Sequence, residues 1–167
     1  MSRVLWSVQE VSRAKALQAF ATLQRPLIVE DSGFVIDALK GFPGPFSKYV
    51  LETIGIQGIL KLMEGEKNRK CGWVGTATYV DSAGSLHPFN RLGGGYRLAH
   101  HASGISSPFA WSPYWQICEV IRLGKTLSAL SAEELAVLRS DPAEKGSLAL
   151  FAEWVKEQER PASLQSG

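Results

Sequence analysis

Two cysteines in 167 residues, Cys71 and Cys118, are too few for the disulfide framework of a small secreted domain. Long apolar runs are missing as well. No stretch approaches the roughly 20 residues that span a bilayer, so the sequence gives no support to a membrane role. Charge of one sign is scarce: 18 basic against 16 acidic residues leave a net +2. An RNA- or DNA-binding module built on the tryptophans would need a stronger basic field, so no nucleic-acid partner is expected and any bound anion must be met locally. Met1 to Trp6 lacks the apolar stretch of an export signal. The expected setting is therefore cytoplasmic, with both thiols reduced in the core. Repeats, low-complexity tracts and linkers are also absent. This length fits one domain, predicted over 1–160, with 161–167 a frayed tail.

Hydrophobic residues at 45% and charged residues at 20% describe an ordinary folded protein. Val8, Val11, Ala14, Leu17, Phe20 and Leu23 recur at a near-helical step, which predicts a first helix ending before Pro26. Leu27-Ile28-Val29 reads as a short strand buried on both faces, with Glu30-Asp31 directly after it and Ser32-Gly33 breaking the run. Phe34 to Leu39 reads as a second extended piece. Gly41-Phe42-Pro43-Gly44-Pro45 must be a shaped loop, and Phe46 to Met63 a helix broken near Gly55 or Gly58. Trp73 to Val80 is a strand, turning at Asp81 to Gly84 into a hairpin partner at Leu86 to Phe89. Gly93 to Pro113 is the least regular stretch, and Tyr114 to Leu123 reads as a strand. Ser131 to Glu134 is a capping box, and Asp141-Pro142-Ala143-Glu144 opens a terminal helix with Leu148, Phe151, Trp154 and Val155 on one face.

Glu10, Lys15, Glu30, Asp31 and Lys48 form the strongest charged constellation. Hard carboxylate oxygens hold Mg²⁺ and lysines offset phosphate charge, so such a set suits a magnesium–polyphosphate site. The plainer alternative is that Glu10, Lys15 and Lys48 are solvated surface residues and Glu30-Asp31 a turn cap. Phe109, Trp111, Tyr114 and Trp115 could stack on a base, or equally belong to the core or a dimer surface. His100-His101 stands without further ligands at metal-binding spacing, and Gly124-Lys125-Thr126 lacks the glycine a phosphate loop needs, because Glu119 occupies that place.

In order along the chain, Glu10-Val11-Ser12-Arg13-Ala14-Lys15-Ala16, Pro26 to Gly33, Ala38-Leu39-Lys40-Gly41-Phe42-Pro43-Gly44-Pro45-Phe46-Ser47-Lys48-Tyr49, Phe109-Ala110-Trp111-Ser112-Pro113 and Gly124-Lys125-Thr126 resemble the spaced motifs of the inosine triphosphate pyrophosphatase family. The resemblance covers roughly 9–135. It implies an α/β fold, a mixed elongated sheet with flanking helices and a cleft between two lobes, paired as a homodimer. It implies a nucleoside triphosphate substrate and Mg²⁺, with the α–β phosphate bond cleaved to a monophosphate and pyrophosphate. Position by position, it makes Glu10 and Asp31 metal ligands and gives Asp31 or Glu30 the attacking water. Lys15 and Lys48 would meet phosphate oxygens, and Phe109 and Trp111 would flank the base. Three features depart from the pattern. The family's N-terminal Ser/Thr-Gly-Asn-x-x-Lys loop has no counterpart in Met1 to Val8. Ser112 replaces an Asp. Leu138-Arg139-Ser140 stands where a base-reading Ser-His-Arg is expected. These departures keep a rival reading open, a non-catalytic relative that binds a nucleotide or a protein partner.

Overall fold

A computed structural model describes residues 7–159, so the expected tail at 161–167 lies outside the described residues. A six-stranded sheet in the order β2-β1-β3-β4-β5-β6 carries the fold. Its strands are β1 (Leu27–Ile36), β2 (Pro43–Gly44), β3 (Lys70–Val80), β4 (Leu86–Leu98), β5 (Cys118–Val120) and β6 (Lys125–Thr126). Every pairing among them is antiparallel. Among the described residues five α-helices accompany the sheet: α1 (Val8–Leu23), α2 (Ser47–Thr53), α3 (Gly55–Leu62), α4 (Ala132–Ser140) and α5 (Ser147–Gln158).

The expected α/β architecture with flanking helices and two lobes is the one observed. Long β3 and β4, of 11 and 13 residues, run through both ends of the molecule. At the Ile36 end, Phe34, Ile36, Ile59, Met63, Leu98 and Tyr114 form the main core with α2 and α3. At the other end the sheet is covered by α1 on one face and α5 on the other. Phe151 and Trp154 of α5 pack on Tyr79 and Phe89, with ring centroids 5.3–5.8 Å apart. Both cysteines are free and buried, and burial pushes the Cys118 thiol up.

Several local expectations need correction. Glu30-Asp31 does not follow a strand, because β1 runs unbroken from Leu27 to Ile36 and pairs with β3 along its whole length. Gly33 is there for closeness, not for a break. A Cβ on it would sit 2.2 Å from the Gly44 carbonyl oxygen. The buried line of α1 is Val8, Ser12 and Ala16, not the apolar stripe, and Leu17 and Leu23 are 39% and 49% exposed. A helix lying close on a sheet needs small side chains at the contact. Ser12 also satisfies its hydroxyl there, 2.8 Å from the Thr78 hydroxyl and donating to the Thr76 carbonyl at 3.2 Å. Tyr114 to Leu123 is a 3₁₀ turn over Pro113–Gln116 followed by the short β5. Pro142–Glu144 is likewise a 3₁₀ turn capped by Asp141, and the terminal helix starts later, at Ser147. The break near Gly55 and the capping box at Ser131 stand as expected.

The Gly33 contact is between two backbones and cannot be relieved by rotating a side chain. Gly33→Ala is therefore expected to destabilise the fold by about 1–3 kcal/mol or more. Gly94→Ala, with nothing within 4 Å of its added Cβ, should stay within about 0.5 kcal/mol. Urea unfolding of the two variants checks this, and equal midpoints would contradict the close β1–β2 approach.

Candidate active site

Successive side chains of a strand point to opposite faces, and this decides how the acidic pair can work. Across the ladder Asp31 stands opposite Thr76 and Glu30 opposite Ala77. Asp31 turns to the α1 face, where Lys15 Nζ donates to its Oδ1 at 2.6 Å. The Asp31 side chain is 16% exposed and that of Lys15 is 54% exposed, so the lysine remains open to a ligand. Glu30 turns to the α5 face, where the buried Ser147 donates to its Oε1 at 3.3 Å. The two carboxylates thus serve different compartments joined only by the edge of β1.

That edge is open over part of its length. Phe34 and Ile36 direct their N–H groups away from β3, to Ser47 Oγ at 2.8 Å and to the Phe42 carbonyl at 3.2 Å. Alternate residues share an edge, so the N–H groups of Glu30 and Ser32 point the same way, where β2 does not reach. An exposed strand edge offers unpaired donors to an incoming group. Here they lie between the Asp31 face and the Glu30 face.

On the α5 face lies a cleft of about 330 Å³, within the range of small-molecule sites. Glu30, Gly75 and Arg91 line it from β1, β3 and β4, Trp73 and Trp111 pack together along it, and Glu144 and Ser147 line it from the segment that leads into α5. Gly75 leaves room for Ser147 Oγ and Glu30 Oε1, which a Cβ there would meet at 3.3 and 3.6 Å. The Trp73 and Trp111 ring centroids are 4.4 Å apart. Burial, the largest cause, pushes the Glu144 carboxyl above its usual range, partly offset by the hydrogen bond from the Tyr96 hydroxyl.

The remaining expected site residues are more scattered. Lys48 lines a neighbouring hollow that shares Ser32, Trp73 and Trp111 with the cleft. Its side chain is 90% exposed, with Nζ 3.8 Å from Glu52 on the same helix. Glu10 accepts from the N–H of Ser7 in the capping box that opens α1. Trp111 is on the cleft, while Phe109 lines a separate hollow beside Lys125 and Glu134. Tyr114 and Trp115 are core residues at 0% and 4% exposure. Lys125 itself pairs with Glu134 at 2.7 Å. Arg91, Glu144 and Ser147 escaped the sequence reading, since only the alternation of β4 and the docking of α5 reveal that they share one space.

Among the described residues no group of three or more His, Cys, Asp or Glu could hold a metal. Mg²⁺ typically takes one or two carboxylates and completes its shell with water and substrate phosphates. Asp31, with Oδ1 on Lys15 and its second oxygen on no described partner, fits that limited role. The Glu10 carboxylate is already engaged by Ser7.

The sequence profile described as the Ham1 family matches residues 5–136. The chain belongs to the Ham1 family. A Methanopyrus kandleri protein named dITP/XTP pyrophosphatase is 38% identical over 152 residues, covering 90% of this chain and 76% of that protein. A Thermococcus kodakarensis protein of the same name is 37% identical over 153 residues, covering 90% and 77%. The Ham1 protein structure from Staphylococcus aureus shares the fold at a TM-score of 0.76, covering 95% of this chain and 81% of that one with 19% identity. The chain thus spans about three quarters of the length of these Ham1 relatives. The segment that carries Glu144 and Ser147 lies beyond the stretch the family profile matches.

A carboxyl whose folded value is raised binds more protons than its unfolded counterpart just above the ordinary value of 4.5. Stability relative to a Glu144→Gln variant should therefore fall as pH rises from 4.5 toward neutrality. Thermal midpoints of both proteins across that range check the sign. A difference that is constant with pH, or grows the other way, would contradict the desolvated placement of Glu144.

Proposed function

We propose that this chain is a Mg²⁺-dependent nucleoside triphosphate pyrophosphohydrolase, cleaving the α–β phosphate bond of non-standard nucleotides to a monophosphate and pyrophosphate. Membership of the Ham1 family and the names of the archaeal relatives support the activity. The observation that carries it in this chain is the Lys15–Asp31 pair beside the open edge of β1. A cation, a carboxylate and outward N–H groups stand together there, next to an aromatic cleft of purine size.

Phosphoryl chemistry asks the protein for charge neutralisation and positioning more than for covalent help. Mg²⁺, held by Asp31 and the phosphates, would supply further neutralisation of the polyphosphate. Lys15 meets phosphate oxygens once it turns from Asp31, and Lys48, free to swing at 90% exposure, meets them from the adjoining hollow. The Ser32 N–H donates from the strand edge. The Asp31 Oδ1 that Lys15 vacates accepts a hydrogen bond from a water, orienting it toward phosphorus and receiving its proton. Glu30, on the other face, borders the base side and does not share this water. Trp111, packed beside Trp73 on one side of the cleft, stacks on the base, a role Phe109 would reach only after its loop moved toward the cleft.

The protein is inferred to act in the cytoplasm as a homodimer. No helix among the described residues is long and apolar enough to cross a membrane. Phe46, Tyr49, Ile54 and Leu62 leave 46–66% of their surface exposed along α2 and α3, an apolar strip suited to a second copy. Light scattering at tens of micromolar should give twice the chain mass, and a monomer mass would remove this inference.

Asp31→Asn keeps the shape of the side chain and removes its charge and basicity. Pyrophosphate release with Mg²⁺ should fall by at least about 10²-fold, with a stability change of no more than about 1 kcal/mol. Lys125→Ala, which breaks only the ion pair with Glu134, should leave turnover nearly unchanged. Unchanged release in Asp31→Asn would sink the catalytic assignment. A wild type that releases no pyrophosphate from any nucleoside triphosphate would favour the non-catalytic, ligand-binding relative.

A further inference from the structure

A polar contact is sealed where α1 lies on the sheet. Ser12 and the facing Thr76 and Thr78 of β3 are buried, and the Ser12 and Thr78 hydroxyls are 2.8 Å apart. Ser12 Oγ is also 3.2 Å from the Thr76 carbonyl oxygen and 3.4 Å from that of Val29. The group is satisfied when Thr78 donates to Ser12 and Ser12 donates to a carbonyl, while the Thr76 hydroxyl donates to Asn90 Oδ1 at 2.9 Å. Val8 and Ala16, the other buried residues of α1, bring only apolar side chains to the contact. Apolar burial has no direction, whereas a hydrogen bond weakens steeply as its geometry is lost. Ser12 therefore fixes where along the sheet the helix sits.

That position matters to the charged pair. Lys15 stands three residues after Ser12, one turn along the helix surface. Asp31, which accepts from Lys15, is the ladder partner of Thr76, whose carbonyl accepts from Ser12. Among the described residues, the Ser12 cluster and the Lys15–Asp31 pair are the side-chain hydrogen bonds that join α1 to the sheet. Once Lys15 turns to a phosphate oxygen, the Ser12 cluster is the polar link that stays. A slip of the helix by a single residue would carry the base of the Lys15 side chain about 1.5 Å along the site.

We propose that Ser12 is a positioning residue: its hydroxyl, shared with Thr78, holds α1 in place over β3 while Lys15 passes from Asp31 to the polyphosphate. The proposal rests on the nucleotide reading above. Asp31 is held by the β1–β3 ladder independently of α1. Loosening the helix therefore weakens the grip on the triphosphate and spares the step at Asp31, so KM rises while kcat is kept. Partial unfolding has the opposite signature, since fewer active molecules lower the apparent kcat and leave KM unmoved.

Steady-state pyrophosphate release from inosine triphosphate with Mg²⁺ reads this split. Ser12→Ala should raise KM about fivefold with kcat within about twofold, the size expected from losing one or two buried hydrogen bonds. Thr78→Val should raise KM roughly threefold, and Thr78→Ser, which restores the hydroxyl, should stay within about twofold of the wild type. A kcat loss at unchanged KM in Ser12→Ala, or Thr78→Ser as impaired as Thr78→Val, would overturn the proposal. Amide hydrogen exchange of α1, read by mass spectrometry, tests the tether without turnover. In a Lys15→Met background, where the second link is gone, Ser12→Ala should speed exchange of α1 about fivefold, more than it does in the wild type. That result without pyrophosphate release from any nucleotide would support the tether while ending the enzymatic reading. Pyrophosphate release with α1 exchange unmoved by Ser12→Ala would do the reverse.

Discussion

The ladder between β1 and β3 is the constraint on which the rest depends. Its ten pairs hold β1 in one register from Leu27–Val80 to Ile36–Cys71. A slip of a single residue would exchange every side chain between the two faces. In the observed register Asp31 meets Lys15 under α1, Glu30 meets Ser147 under α5, and Phe34 and Ile36 fill the main core. Gly33 locks the same strand against Gly44 at van der Waals limits. Packing that stabilises the fold therefore also sets which carboxylate faces which compartment.

A division of labour follows from that register. The α1 face has the exposed cation and the carboxylate suited to phosphate and water. The α5 face has aromatic walls suited to a flat ring. Between them runs a strand edge whose N–H groups lack partners in the sheet. A ligand with a base at one end and a polyphosphate at the other can satisfy all three only by crossing that edge. Chemistry and recognition are thus separated by the thickness of one strand.

Much of this was legible in the sequence, and the failures are informative. Asp31 and Lys48 stand out as charges beside glycine or proline, Glu10 and Lys15 as charges off the apolar stripe of the first helix, and the structure does unite Lys15 with Asp31. The two-sided nature of Glu30-Asp31 was missed because Ser32-Gly33 looks like a stop, whereas Gly33 is demanded by a close backbone across the strand. The α1 contact is hidden in the sequence because its buried line contains Ser12, a polar residue whose partners on β3 are 64 and 66 residues away. Arg91 gives no local signal, and Glu144 shows only as the last residue of a helix-opening motif. Their meeting depends on a strand and a 3₁₀ turn 52 residues apart in the chain, joined by the Arg91 hydrogen bond to Ala143.

One ligand is expected to span both faces of β1. A crystal structure of the protein with inosine 5′-[α,β-imido]triphosphate and Mg²⁺ tests it most directly, since the bridging nitrogen resists cleavage. The purine is expected in the cleft on the α5 face, stacked against the side formed by Trp73 and Trp111. The α-phosphate is expected at the Ser32 edge, with Lys15 turned from Asp31 to a phosphate oxygen. A base seated in the hollow beside Phe109, or a triphosphate lying away from Asp31 with the Lys15–Asp31 pair intact, would contradict it.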